Sequence, residues 1–240
     1  MSRGITHTPA TAARTAPEDH AMPFAARHRA DPTPELPPEP RLTVRRETDA
    51  ATMAALQGRS EAEMALRLSG GHRAYVAWWE GEPAAWGWVA TRSAEIGELG
   101  SAFAIPRGER YLWNFVTLPL HRGRGTYPRL LDAIVRAESR EAERFWIAYA
   151  PENHASGAGI RKAGFVDLAE LSFDAAGRPA LRALMRGGGR VAARVLGLPE
   201  VTEELAQCWR CARAPVPREM YCPAGSCACD YQQPHSGCAA

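Results

Sequence analysis

Two arginines and two glycines alternate in the turn Arg122-Gly123-Arg124-Gly125, which joins a predicted strand to a predicted helix. Glycine lets backbone amides approach a ligand closely, and the first turn of a helix offers unpaired N–H groups together with the positive end of its dipole. With two guanidinium groups added, this turn could bind a phosphate or a pyrophosphate. Such a turn can equally be a solvated loop, so by itself it leaves both interpretations open.

All six cysteines lie between Cys208 and Cys238. Two pairs in this segment are spaced so that four thiolates could surround one tetrahedral zinc ion. The predicted ligands are Cys208, Cys211, Cys222 and Cys227, with Cys229 competing for the fourth position. Metal binding would let a segment of about 30 residues fold without a large core. Disulfides or free thiols are the alternatives, and a catalytic metal is disfavoured because nothing in the segment resembles a site with an open position.

Period-two alternation and β-rich composition predict strands, whereas apolar residues at helical spacing predict helices. The predicted strands are 42–46, 73–79, 84–91, 111–118, 145–150, 165–173 and 181–185. The predicted helices are 50–57, 61–68, 129–143, 153–162 and 190–206. The Gly-rich segment 95–108 is predicted to be a loop.

Composition divides the chain into four parts. Residues 1–41 hold eight of the 19 prolines and only one aromatic residue, Phe24, which predicts a disordered Pro/Ala-rich tail. A proline-rich docking peptide is the alternative for this tail. Residues 42–186 form the predicted folded domain, 187–207 a linker with a helix, and 208–240 the Cys-rich module.

The order of features along the domain is more specific than any one motif. A strand, Pro119, the turn 122–125, an amphipathic helix, a short strand and then Asn153 and Lys162-Ala163-Gly164-Phe165 follow one another. This order resembles the GNAT family of acyl-CoA N-acyltransferases. The resemblance implies an α/β fold with a central mixed sheet flanked by helices. It further implies transfer of an acyl group, above all acetyl, from acyl-CoA to an unknown amine by direct attack, with acetyl-CoA as cosubstrate. A non-catalytic acyl-CoA-binding or scaffold protein is the alternative.

The resemblance also assigns residues to the coenzyme. The turn and the start of the following helix would hold the pyrophosphate, the end of the preceding strand would splay from the next strand and pair with pantetheine, and an asparagine would contact the coenzyme arm. These residues are, in that order, Arg122, Gly123, Arg124, Gly125 and Thr126; Phe115, Val116 and Thr117; and Asn153. Two residues depart from the pattern, because Tyr127 stands where Gly or Ala is usual and Pro128 has no amide to donate.

The proton donor and the base are open. The family's usual tyrosine is replaced by Ile160, so another group or water must protonate the leaving thiolate. Three hydroxyl side chains are candidate acids, namely Tyr127, Tyr149 and Ser156. Three side chains near the central strand are candidate bases, namely Glu95, Glu98 and His121. Each of the six also has an ordinary role in packing, capping or solvation open to it.

Three tryptophans could line the acceptor pocket. Trp86 and Trp88 are two residues apart on one strand and share a face, and Trp113 lies on the next strand. Ordinary sheet packing explains the same pattern. A tryptophan-lined pocket would favour a small apolar or aromatic amine over a highly charged polyamine.

Charge and composition disfavour several other classes of protein. A net charge of +2 with a pI near 8.3 is too weak for a nucleic-acid binder, and 45% hydrophobic residues fit a globular chain. No run of about 18 apolar residues and no export signal is evident, so we expect a cytoplasmic protein outside the membrane. Composition leaves the oligomeric state open.

Overall fold

The computed structural model describes residues 21–151, 153–203 and 205. In chain order the strands of these residues are β1 Met22–His28, β2 Leu42–Glu47, β3 His72–Trp79, β4 Glu82–Ala90, β5 Ser93–Ile96, β6 Ser101–Ala104, β7 Glu109–Thr117, β8 Arg144–Ala148, β9 Val166–Phe173, β10 Pro179–Ala183 and β11 Glu200–Val201. The helices are α1 Ala50–Gln57, α2 Glu61–Ser69, α3 Thr126–Glu138, α4 His154–Lys162 and α5 Gly188–Leu196.

Nine of these strands form one mixed sheet in the order β11-β10-β9-β1-β8-β7-β4-β3-β2. The pairs β7–β8 and β10–β11 are parallel and the other neighbours are antiparallel. Helices cover both faces of the sheet. The predicted α/β fold, with a central mixed sheet flanked by helices, is therefore confirmed.

Successive side chains of a strand point to opposite faces of the sheet, so both faces are apolar and helices pack on each of them. The apolar stripe of α3, which includes Leu130 and Ile134, packs with Ile160 of α4 against one face. Met53 of α1 and Met64 of α2 pack on the other face against Trp86 and Trp88. Helix α5 lies on that second face too, over the part of the sheet that contains β1 and β9.

Strand β1 lies in the part of the chain that composition assigned to a disordered tail. It fills the position between β8 and β9, where Phe24 pairs with Ala148 on one side and with Ala169 on the other. The prediction of disorder is therefore wrong for residues 22–28, because proline counted over 41 residues hid a short apolar run that only pairing with distant strands stabilises. Residues 1–20 lie outside the described residues.

The segment predicted as a loop contains a β-hairpin. Strands β5 and β6 pair with each other in a separate two-stranded sheet. Ile96, Leu99 and Phe103 from this region are buried in the same cluster as α5. Two of the glycines that suggested a loop instead begin and end a short helical turn between the two strands, Gly97 as its first residue and Gly100 as its C-cap. The prediction of a loop is therefore wrong too.

The folded domain also extends beyond residue 186. Helix α5 is shorter than predicted, because Gly197 ends it in a left-handed conformation, and β11 then adds an edge strand to the sheet. The cysteines of the predicted zinc module, Cys208, Cys211, Cys222 and Cys227, lie outside the described residues. Within those residues, no group of three His, Cys, Asp or Glu side chains could hold a metal ion.

Among the described helices, none has both the length and the apolar character needed to cross a bilayer.

Replacement of Phe24 by Ala tests the structural role of β1. Phe24 is fully buried and stacks on Trp146 with ring centroids 4.8 Å apart. Loss of a buried phenylalanine costs about 3 to 5 kcal/mol, so we expect a clear fall in the free energy of unfolding measured by urea titration. The exposed Glu35→Ala is the control in the following segment. Equal stability of the two variants would contradict the assignment of β1 to the core.

Candidate functional site

Strands β7 and β8 separate part-way along their length. They pair from Glu109 opposite Arg144 to Leu112 opposite Ile147, and the pairing stops there. Strand β7 continues to Thr117, paired on its other side with β4. Its register shifts near Asn114, a non-glycine residue with a φ of +53°. The last five residues of β7 therefore present a backbone edge that β8 does not cover, as the resemblance implied.

The turn after β7 leaves its amides available. Gly123 and Gly125 have φ angles of +72° and +71°, which other residues rarely adopt. Gly125 is the N-cap of α3. Among the described residues, no acceptor takes the N–H groups of Gly123, Arg124, Gly125 or Thr126. Free donors therefore converge at a helix N-terminus, the arrangement that binds anions.

Arg129 holds this turn in place. Its Nη1 donates to the carbonyl of Gly125 at 2.9 Å, and its Nη2 donates to the carbonyl of Pro37 at 2.6 Å. The side chain thus joins the turn to the segment that runs from β1 to β2. Because the carbonyl is engaged in this way, the peptide dipoles of the turn keep a fixed direction.

A cavity of about 650 Å³ lies between the free part of β7, the first turn of α3 and one face of α4. Its walls are formed by Phe115, Val116, Thr117, His121, Arg122, Gly123, Gly125, Thr126, Tyr127, Pro128, Asn153, Ala155, Ser156, Ala158, Gly159 and Lys162. Every residue predicted from the sequence to contact the coenzyme is among them except Arg124. The Arg124 guanidinium instead lies over the ring of Trp79, 5.3 Å from its centroid.

The cavity is lined by cations and by no carboxylate of the described residues. Arg122 and Lys162 contribute the formal charges, and Arg122 also donates through Nε to the carbonyl of Thr117 at 3.1 Å. Asn153 caps a helix and also lies in the cavity wall. Its Oδ1 caps α4 by accepting from the N–H of Ser156 at 3.0 Å, and the residue also borders the cavity.

Tyr127 does not block the bend of the turn. Its ring lies beside α4, where a Cβ on Gly159 would come within 2.5 Å of it, and it contacts Phe115 with centroids 5.6 Å apart. A Cβ built on Gly123 would meet no atom within 4 Å. The residue that departs from the family pattern is therefore accommodated by the next helix, and the bend stays open.

Two of the three candidate acids border the cavity and the third does not. The hydroxyls of Tyr127 and Ser156 are 3.4 Å apart and both residues line the cavity. Tyr149 is absent from its walls; its hydroxyl accepts from Arg161 at 2.9 Å and donates to Asp167. Burial raises the pKa of Tyr127 to about 12, so its phenol is protonated at neutral pH. Burial, and then the Asp167 carboxylate, also raises the pKa of Tyr149 to about 12.

One of the three candidate bases borders the cavity and the other two do not. Glu95 lies on β5 and Glu98 on the following helical turn, and both are exposed and outside the cavity walls. His121 is a cavity residue beside the ring of Trp79, at 5.9 Å between centroids. Of the three candidates, only His121 therefore lies near the free strand.

The three tryptophans are mainly packing residues. Trp88 is fully buried and Trp86 is 6% exposed, both in the cluster under α1 and α2. Trp113 is half-buried and contacts two of the hydrophobic clusters. An open pocket lined by all three is not what the structure contains, since Trp88 has no exposed surface.

One wall of the cavity consists of residues that were not predicted to contact the coenzyme. Ala155, Ala158, Gly159 and Lys162 of α4 form this wall. Their spacing of three, four and seven residues places them on one helix face. Small residues with a terminal lysine at that spacing were a readable signal for a face that approaches a ligand.

Solved structures resemble parts of the chain. A GCN5-related N-acetyltransferase from Kribbella flavida is 18% identical, with 61% of this chain and 54% of that chain covered and a TM-score of 0.43. A putative GNAT acetyltransferase from Novosphingobium aromaticivorans is 19% identical, with 61% of this chain and 60% of that chain covered and a TM-score of 0.40. A GNAT acetyltransferase from Streptococcus pneumoniae is 17% identical, with 52% of this chain and 84% of that chain covered and a TM-score of 0.39. The chain thus spans less than two thirds of the length of the first two.

No curated protein matches this chain. The family model described as Acetyltransferase (GNAT) family matches residues 37–165, more than half of the sequence. The match includes β7, the glycine turn, α3 and α4, which together form the cavity. The chain therefore belongs to the GNAT acetyltransferase family.

Proposed function

We propose that the protein transfers an acyl group, in the simplest case acetyl, from acyl-CoA to an amine. The observation that carries this proposal is the single cavity in which a free strand edge meets a turn with free amides. Coenzyme A has both matching parts, because its pantetheine arm carries amide groups and its other end carries a diphosphate. The family membership of the chain supports the same ligand.

The strand edge suits the arm. Phe115, Val116 and Thr117 border the cavity on the side of β7 that β8 leaves open. Backbone groups on such an edge can pair with the amides of an extended ligand, as in strand addition. Asn153 lies across the cavity at the start of α4, where it can contact the same arm.

The turn suits the diphosphate. Amides of residues 123–126 and the dipole of α3 offer several donors to one anion. The Arg122 guanidinium adds a full positive charge at the same end of the cavity. Arg124 supports the coenzyme through its amide only, since its guanidinium lies over Trp79.

The reaction needs two proton movements. The neutral amine attacks the thioester carbonyl, the new C–N bond forms, the C–S bond breaks, the amine loses one proton and the thiolate gains one. Tyr127 is the proposed donor of the proton to the thiolate, with the Ser156 hydroxyl beside it, and Tyr127 holds its proton at neutral pH. Water can accept the amine proton.

The decisive experiment is turnover. Purified protein with acetyl-CoA and a panel of primary amines should release free thiol in an amine-dependent manner. Binding of acetyl-CoA without thiol release from any amine would instead favour the non-catalytic coenzyme-binding alternative. A structural zinc ion held by Cys208, Cys211, Cys222 and Cys227 stays a prediction, which metal analysis under reducing conditions tests.

Replacement of Gly125 by Asp should weaken coenzyme binding. The new carboxylate would stand at the proposed anion site, and a Cβ there would come 2.2 Å from Arg129 Nη1. We expect a loss of at least about tenfold in affinity for coenzyme A by titration calorimetry. Gly177→Asp is the matched control, since Gly177 has the same φ of +71° in a distant turn. Equal affinities of the two variants for coenzyme A would contradict the proposed anion site at the turn.

Replacement of Gly87 by Ala should distort the cavity from behind. A Cβ at this residue would come 2.0 Å from Cε1 of Phe115, so the ring must move from the wall of the cavity. We expect KM for acetyl-CoA to rise about fivefold to tenfold, measured by thiol release. Gly97→Ala is the control, because its Cβ would meet nothing closer than 3.7 Å. An unchanged KM would show that the position of Phe115 does not matter to the coenzyme.

Replacement of Tyr127 by Phe removes a proton donor and keeps the ring. We expect kcat to fall by at least about tenfold with little change in KM for acetyl-CoA. Tyr149→Phe is the comparison, because that hydroxyl is bound to Arg161 and Asp167 away from the cavity. The assignment fails if Tyr149→Phe lowers kcat as much as Tyr127→Phe does.

A further inference from the structure

Three buried side-chain nitrogens without a hydrogen-bond partner meet around Trp113. They are Nη1 of Arg67, Nδ1 of His72 and Nε1 of Trp113 itself, and none has an acceptor or donor among the described residues. The Arg67 guanidinium lies 5.1 Å from the centroid of the Trp113 ring, and the His72 ring lies 5.2 Å from it. Buried polar groups are nearly always paired, so these three nitrogens call for a partner that the described residues do not supply.

The position of Trp113 relates this cluster to the reacting atoms. Trp113 follows Leu112, the last residue of β7 that pairs with β8, and precedes the bulge at Asn114. A coenzyme that starts at the glycine turn and runs back along the free edge of β7 ends where the two strands rejoin. The acyl group of a coenzyme bound in this way would lie at the Trp113 end of the free edge.

The cluster lies on the side of the sheet opposite to the coenzyme cavity. Arg67 is on α2 and contacts the ring of Trp88 as well, at 5.6 Å. Trp88 packs in the cluster under α1 and α2, whereas the cavity is bordered by α3 and α4. An acceptor that approaches from the α1–α2 side would thus meet the acyl group without displacing the coenzyme.

The unpaired atoms include hydrogen-bond donors and a positive charge, which favour a negatively charged ligand group. A guanidinium and an indole N–H can only donate. Arg67 Nη2 already donates to Glu63 Oε1 at 2.7 Å, which fixes the guanidinium and leaves Nη1 for another acceptor. Burial, and then the Arg67 charge, lowers the pKa of His72, so the imidazole adds no positive charge at neutral pH. Its Nδ1 supplies one further hydrogen-bonding atom.

We propose that the acceptor is an amino acid or a similar amine with a carboxylate, which Nη1 of Arg67 and Nε1 of Trp113 bind. This proposal rests on the acyltransferase function proposed above and names its acceptor class. The carboxylate binds Arg67 on the α1–α2 side, and the amine next to it reaches the acyl carbon beside the bulge. A polyamine without a carboxylate would place a cation against Arg67 and is disfavoured.

Matched acceptors test this. L-Phenylalanine and phenethylamine differ only by the carboxylate, and kcat/KM is measured for each by thiol release from acetyl-CoA. We expect the wild-type protein to prefer the acid by about tenfold or more, and Arg67→Gln to reduce that ratio by about tenfold to a hundredfold. The ratio between proteins cancels the intrinsic reactivities of the two amines. Arg59→Gln, at an exposed arginine between α1 and α2, is the control and should keep the wild-type ratio.

A second measurement separates failure of this proposal from failure of the transferase function. Binding of N-acetyl-L-phenylalanine and of N-acetylphenethylamine to the complex with coenzyme A is compared by calorimetry, and requires no turnover. Preference for the acid that Arg67→Gln removes would support the carboxylate site even if thiol release were absent. Thiol release with equal use of both amines, or an Arg67→Gln ratio like that of wild type, would overturn the proposal and leave the transferase function intact.

Discussion

The end of pairing between β7 and β8, at Leu112 and Ile147, is the constraint on which the site depends. A strand that continues beyond its neighbour leaves N–H and C=O groups that need another partner. Here β4 pairs with the other side of β7, so the free edge keeps its extended shape up to Thr117. The bulge at Asn114 lies where the strands part, and the Asn114 side chain donates to Oε1 of Gln57 at 3.3 Å. The strained residue is thus held by α1 rather than by the sheet.

A buried charged residue of the sheet binds both helices that border the cavity, α3 and α4. Arg27 of β1 is 4% exposed, and its Nη1 donates to Asp132 of α3 and to the carbonyl of Ala163 at the end of α4, each at 2.9 Å. A buried guanidinium is costly unless it is paired, so these bonds keep both helices against β1. Strand β1 precedes the residues that the family model matches, yet it holds the two helices that border the cavity.

The far end of α3 is held by a second network. Glu138 accepts hydrogen bonds from Arg73, Tyr75 and Arg110. Burial would raise the pKa of Glu138, but these three donors outweigh it and the pKa is lowered. The carboxylate is therefore ionised at neutral pH, and its charge is neutralised by strands β3 and β7. Because both ends of α3 are fixed, the amides at its start keep a constant position relative to β7.

The sequence by itself determined the elements around the glycine turn and the family that they indicate. The strand, turn and helices that carry residues 115–117, 122–126 and Asn153 could be predicted because turn chemistry, helix capping and strand composition are local properties of neighbouring residues. Strand β1 and the β5–β6 hairpin depended on tertiary structure. Met22–His28 becomes a strand only because β8 and β9 leave a position between them, and local composition carries no record of partners more than a hundred residues away. The unpaired nitrogens around Trp113 were likewise decided by folding, since Arg67, His72 and Trp113 belong to three elements whose proximity is set by burial of apolar surface.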